Sequence, residues 1–162
     1  MSALKRLVRR PLLISVIACI LLLIVLLVVT RPPHPQPAVT KEYDVKQVTF
    51  GDAATGSKYH MQVADTDAKR ERGLSNRDTL TGKTGMIFTY DKPQQLCFWM
   101  KDMRFAIDMV WLDQTKHVVA VESAVSPNSY PKTFCHQAQY VLEFSAGTAG
   151  KERLQAGKQL AF

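Results

Sequence analysis

One stretch restricts this chain before any other. "PLLISVIACILLLIVLLVVT" runs from Pro11 to Thr30 without a charge. At about 1.5 Å per helical residue, a run of that length crosses the ~30 Å hydrocarbon layer of a bilayer. The segment before it, "MSALKRLVRR", carries Lys5, Arg6, Arg9 and Arg10 and no acid, whereas "RPPHPQPAVT" after it holds only Arg31. The excess of basic residues on the N-terminal side keeps residues 1–10 in the cytoplasm and sends everything beyond Thr30 outside. The expected product is a single-pass protein of the cell membrane with an extracytoplasmic domain. Two other readings compete. A cleavable signal peptide usually has an apolar region of only ~7–15 residues, and no small-x-small site follows Thr30. "VIAC", ending at Cys19, resembles a lipid-attachment box, but the apolar run continues past it to Thr30.

The spacer comes next. "RPPHPQPAVT", residues 31–40, has four prolines in ten residues and should be stiff and extended. Residues 41–162 remain, enough chain for one ordinary core. Charge adds an exclusion. Setting the four basic residues before the span aside from the total of 21 leaves 17 against 14 acidic residues, a net +3 out of the formal +7. No basic face or run of the kind that binds nucleic acid is present, so no nucleic-acid partner is expected.

Within residues 41–162 the patterning is that of strands. "YDVKQVTF" and "SKYHMQVA" are β-rich and separated by the turn-type cluster "GDAATG". "DTDAKRERGL" predicts a short helix, capped by Thr66 or Asp67 and ended by Gly73. "GMIFTY", "LCFWMKD", "IDMVWLD", "HVVAVESAV" and "QYVLEFSAG" read as strands broken by "DKPQQ", "MRFA", "DQTK" and "SPNSYPKTFCHQ". "TAGKERL" offers a helical turn or two before a last strand, "KQLAF". The fold class expected is mainly β (α+β), a compact, largely antiparallel β domain with one or two short helices behind a single transmembrane helix.

The segment "QQLCFWMKDMRFAIDMVWLD" is the most apolar of the domain, yet it contains Lys101, Asp102 and Asp108. If "LCFWMKD" and "IDMVWLD" form a hairpin across Met103–Ala106, Lys101 faces Asp108, Trp99 faces Val110 and Cys97 faces Leu112. Phe98 with Trp111 and Met100 with Met109 then make an aromatic, sulfur-rich opposite face. On this expectation the charges neutralise each other beside Trp99. An exposed pair of this kind only sets register, at about 0–1 kcal/mol. A buried one stabilises poorly and points to a functional or specificity role.

Five fragments occur in order: "RERGLSNR" (Arg70–Arg77), "GMIF" (Gly85–Phe88), "FWMKDM" (Phe98–Met103), "IDMVWLD" (Ile107–Asp113) and "YVLEFSAG" (Tyr140–Gly147). Together they resemble the family known as domain of unknown function 192, over about Val63 to Phe162. The resemblance implies a small β-rich domain, often secreted or membrane-anchored, and no established activity. It carries over Arg72, Arg77, Trp99, Lys101, Asp108 and Glu143 as matched positions. Three departures stand out: Asp102 where the family more usually has Asn, Ala106 where it has Pro, and Ser75 where Met is frequent.

Cys97 and Cys135 are the two thiols outside the apolar run, and an oxidising space favours a bridge between them. Free thiols are a second option, and a metal held by Cys97, Cys135 and His136 a third. Adjacent Cys-His without a C-x-x-C or H-x₃-H partner is poor zinc spacing, so no metal and no cofactor is expected. His34, His60 and His117 are scattered. Phosphate loops, H-E-x-x-H and G-x-S-x-G are absent from the sequence.

Two function classes remain. In the first, Trp99 or Trp111 offers a flat apolar surface and Arg72, Arg77, Lys101, Asp102, Asp108 and Glu143 supply directional hydrogen bonds, a combination suited to a saccharide or cell-wall fragment. At least one of the two tryptophans is expected in the core. In the second, Asp102, Asp108 and Glu143 provide an acid and a base for cleaving envelope glycans. Binding or envelope association is the preferred expectation; the sequence points to no protein partner.

Overall fold

A computed structural model of the chain describes Tyr43–Gly51 and Gly56–Phe162. The chain divides after Thr40, and the unit from Lys41 onward holds the sheet. The apolar run and the proline spacer expected from the sequence lie outside the described residues.

Seven strands form one sheet. In chain order they are β1 (Val45–Phe50), β2 (Ser57–Ala64), β3 (Thr84–Trp99), β4 (Ile107–Leu112), β5 (Val118–Val125), β6 (Thr133–Ser145) and β7 (Leu160–Ala161). Helix α1 (Asp67–Arg72) joins β2 to β3, and α2 (Thr148–Lys151) follows β6. The spatial order is β5-β4-β6-β3-β2-β1-β7. Every pairing is antiparallel except β2 with β3, which the α1 crossover makes parallel. The C-terminal segment touches both edges of the sheet: β7 pairs with β1, and Gln159 bridges to His117 just before β5. The sheet is therefore curled.

Curling gives the strands two apolar faces. Phe50 and Tyr59 pack edge-on against Phe144 and tilted against each other inside the curl, with ring centroids 4.8–5.5 Å apart, joined by Met61, Ile87, Val110 and Leu142. The outer face of β3, β4 and β6 is covered by residues of the connecting loops. There Phe98 meets Phe88 and Trp111, with Met86, Met100, Met109 and Leu74 around them. All six residues of β4 are buried, as are Val141–Phe144 of β6. A strand covered on both faces loses the apolar-polar alternation by which a half-buried strand is recognised.

The hairpin expected of "LCFWMKD" and "IDMVWLD" does not form. β6 lies between β3 and β4 and pairs with both, Met86 and Met109 standing on either side of Glu143. Since β3 and β4 are each antiparallel to β6, they run parallel to each other, and a short turn cannot join parallel neighbours. Met100–Ala106 is instead a crossover spanning two strand spacings. Lys101 sits exposed in it, while Asp108 is wholly buried within β4, so the two do not pair. The aromatic, sulfur-rich face does exist, because alternation along each strand holds whichever neighbour it has.

β3 is also longer than expected, running through "DKPQQ" with a register shift between Thr89 and Gln94. Pro93 has no amide to give the ladder and falls within that irregularity. β6 likewise extends back through "TFCHQ". The arms pair directly, and Cys97 stands opposite Cys135 with their sulfurs bonded at 2.09 Å. That bond leaves no free thiol for the metal alternative, and His136 instead bonds Glu122 at 3.1 Å and packs on Trp111.

Close approach of β3 and β6 depends on Gly85. A Cβ there would lie 2.4 Å from the Glu143 carbonyl oxygen and 2.7 Å from Met61 Cε. Gly85→Ala should destabilise the domain by about 1–3 kcal/mol, the usual cost of overpacking. Urea denaturation checks this; an unchanged midpoint would mean that the two strands separate without penalty.

Candidate functional site

The site grows from the end of α1. Thr66 caps that helix by accepting from the Lys69 amide at 3.3 Å, and Gly73 terminates it at φ +49°, a conformation that glycine adopts without a Cβ penalty. The chain then turns sharply over β3. Ser75 Oγ donates to the Lys101 carbonyl at 3.0 Å, and the Asn76 amide donates to the Asp102 carbonyl at 2.8 Å. These bonds fasten the loop after α1 to the crossover after β3. Asp102 has φ +58°, a left-handed position suited to Asn and Asp alike. Asp102 thus makes the turn that an Asn would make and places a negative charge at its surface.

Between these segments and the sheet lies a cleft of about 90 Å³. The sheet contributes Phe88, Phe98 and Glu143; α1 contributes Arg70, Glu71 and Arg72; Tyr90 and Trp99 stand in the wall. Trp99 is 50% exposed, whereas Trp111 is fully buried with its indole N–H donating to the Leu96 carbonyl at 3.1 Å. A wider groove of about 350 Å³ adjoins, sharing Glu71, Arg72, Ser75 and Trp99 and adding Lys101 and Asp102.

Glu143 is the unusual group. The residue is 4% exposed, and its carboxyl receives no hydrogen bond from any described residue. Burial pushes its carboxyl up to about 8, opposed by the Arg77 guanidinium, which pulls it down. Arg77 itself donates to Gln62 Oε1 at 2.7 Å, and Arg70 donates to the Thr89 carbonyl at 2.8 Å and to Asp67 at 2.6 Å. Arg70 also lies over the Tyr90 ring, 4.7 Å from its centroid. Burial raises the Tyr90 hydroxyl too, with Arg70 acting against the shift.

A raised carboxyl links stability to pH. The unfolded state loses the Glu143 proton near 4.5 while the folded state holds it to about 8. Over that window the unfolded state binds fewer protons, so this group's contribution to stability falls as pH rises. Melting temperature should therefore decline from about pH 5 to about pH 8 in the wild type and decline less in Glu143→Gln. Parallel pH profiles for the two proteins would show that the folded state does not hold this proton.

Of the residues singled out from the sequence, Arg72, Trp99, Lys101, Asp102 and Glu143 come together here. Arg77 stands close enough to act on the Glu143 charge but does not line the cleft. Asp108 faces the inside of the curl, with Val110 and Leu112, and both its oxygens accept backbone amides at 2.7 Å, from Ala124 and from Ala149 of α2. It is a structural clamp on the face away from the cleft. Sequence reasoning missed Arg70, Glu71, Tyr90 and Phe98. Arg70 and Glu71 begin "RERGLSNR", and their place on a helix next to Arg72 was the available signal.

The fold and the cleft together define a class: a curled, mainly β domain with two short helices and a buried carboxyl opening into an aromatic-walled cleft. Residues 48–162 match the family described as uncharacterized ACR, and the chain belongs to that family, domain of unknown function 192. Two solved structures share the fold. One is a proposed transcription regulator from Sinorhizobium meliloti, 23% identical, with a TM-score of 0.68 over 74% of this chain and 94% of that one. The other is a protein of unknown function from Novosphingobium aromaticivorans, 21% identical, with a TM-score of 0.69 over 82% of this chain and 94% of that one. No curated protein matches the sequence.

Proposed function

We propose that the chain is a membrane-anchored, extracytoplasmic binding module whose cleft takes a polar ligand such as a saccharide or a cell-wall fragment. One observation carries the reading: a buried carboxyl without a hydrogen-bond partner opens into a cleft beside a half-exposed tryptophan. Buried polar groups are ordinarily satisfied, and one left open in a cleft suits a ligand that completes it. Trp99 supplies a flat apolar surface next to it, and Arg72, Lys101 and Asp102 line the adjoining groove. Residues 11–30 serve as the anchor and 31–40 as the spacer. The basic N-terminus and the disulfide support an extracytoplasmic domain.

The hydrolase reading has less support. Glycosidic cleavage needs two carboxylates across one bond, about 5–9.5 Å apart. Asp108 lies on the other face of the sheet with both oxygens occupied, and Glu71 and Asp102 are exposed. Among the described residues, only Glu143 has the raised carboxyl that acid catalysis uses.

Sedimentation with insoluble peptidoglycan tests the binding reading. Trp99→Ala should weaken retention at least about tenfold, as removal of a central aromatic contact does. Its half-exposed position predicts little change in melting temperature. Retention equal to wild type would overturn the reading. Release of soluble sugar by the wild type, lost in Glu143→Gln, would establish the hydrolase instead.

A further inference from the structure

On the reading that the Glu143 cleft binds a ligand, we infer that the ligand carries a protonated amine, seated against the Glu143 carboxylate among the surrounding aromatic rings. The geometry shows what the carboxyl lacks. It is 4% exposed and receives no hydrogen bond from a described residue, yet it lines an open cleft. Two of the cations nearby are engaged elsewhere: Arg70 by Asp67 and the Thr89 carbonyl, and Arg77 by Gln62. The remaining surroundings include Phe88, Phe98 and Trp99, and aromatic rings attract a cation. An ammonium group satisfies the carboxylate by charge and by three donors, and aromatic faces tolerate it where they would not tolerate an anion.

The cleft is small, about 90 Å³, so it takes the amine and the carbon that bears it. The rest of the ligand extends past Trp99 into the adjoining groove. Two sources share this chemistry, an amino sugar and the side chain of a diamino acid. Binding also moves a proton. The charged and titratable groups around Glu143 are Arg70, Glu71 and Arg72 on α1, Tyr90 on β3 and Arg77 in the loop after α1. Burial outweighs the Arg77 guanidinium and favours the protonated carboxyl at neutral pH. Seating an ammonium group there favours the carboxylate, so the proton leaves to solvent as the ligand binds.

Calorimetry on the full-length chain in detergent, at pH 7, tests this with glucosamine, N-acetylglucosamine and lysine as probes. Glucosamine or lysine should bind at least about tenfold more tightly than N-acetylglucosamine, and Glu143→Gln should abolish that preference. Which amine binds identifies the source. Titration of the wild type in two buffers of different ionisation heat should show proton release on binding, a readout that requires no variant. Binding of N-acetylglucosamine as tight as that of glucosamine, with lysine silent, overturns the amine inference and leaves the binding site standing. Amine binding without proton release, or undiminished in Glu143→Gln, overturns it as well. Failure of all three probes to bind overturns the amine inference, and unchanged peptidoglycan retention in Trp99→Ala overturns the binding site with it.

Discussion

Asp108→Ala is expected to destabilise the domain by about 3–5 kcal/mol, with the melting temperature falling by roughly 10–20 °C. The effect should be this large because the carboxylate does two jobs with no substitute in reach. One oxygen accepts from the Ala124 amide and the other from the Ala149 amide, each at 2.7 Å, and the side chain is fully buried. Hydrogen bonds to a charged acceptor contribute more than neutral ones, and a buried donor left unpaired costs about 1–3 kcal/mol. Each contact also secures a local distortion. Ala124 lies where the β4–β5 register shifts, at φ +49°, a left-handed conformation unfavourable for any residue with a Cβ. Ala149 is in α2, a single turn too short to persist without tertiary support. Asp108→Asn keeps one acceptor and turns an amide donor toward the other N–H, so its loss should be comparable in sign and somewhat smaller. Denaturant unfolding of both variants decides the matter. Losses below about 1 kcal/mol in both would mean that water replaces the carboxylate.

Breaking the Cys97–Cys135 bridge is expected to remove about 4 kcal/mol. The two cysteines are 38 residues apart, and the chain-entropy relation gives that figure for a loop of this length. The bridge also crosses the paired arms of β3 and β6, where Cys97, Gln94, Gln95 and Gln137 are exposed and only one face, with Leu96, Phe98, Phe134 and Ala138, packs on the core. The central pairing of Gly85–Thr89 with Tyr140–Phe144 is buried on both faces and should survive reduction. Unfolding curves of the oxidised protein and of Cys97→Ser/Cys135→Ser check the magnitude. Hydrogen exchange should locate the loosened segment at Gln94–Trp99 and Thr133–Ala138. A difference below about 1 kcal/mol would mean that the arms hold without the covalent link.

How far the sequence was legible varies with the range of the interaction concerned. Helix α1 was readable because Thr66 and Gly73 act within one turn of the chain they bound. Strand β4 was readable from its apolar run, and the hairpin of β1 and β2 from the turn cluster between them. The aromatic and sulfur-rich face was readable because alternation is a property of a single strand. The site was legible in part: Arg72, Trp99, Lys101, Asp102 and Glu143 do gather around one cleft and its groove. The Lys101–Asp108 pair failed because it assumed that consecutive strands are neighbours. β6 inserts between them, and a strand that begins only at Thr133 leaves no local trace of where it will dock.

By itself the sequence determined a charge-free run after a basic leader, a mainly β domain with short helices, membership of one family, and which two cysteines were available to pair. Each rests on composition, periodicity or motif order, which neighbouring residues express without knowing their partners. Only the tertiary structure decided the roles of the two buried acids. Asp108 turns into the curl, where two backbone amides each donate to one of its oxygens, and Glu143 turns outward into a cleft. Both lie in strands covered on each side, so burial is the same for the two, and the difference comes from which loops the fold brings over each face.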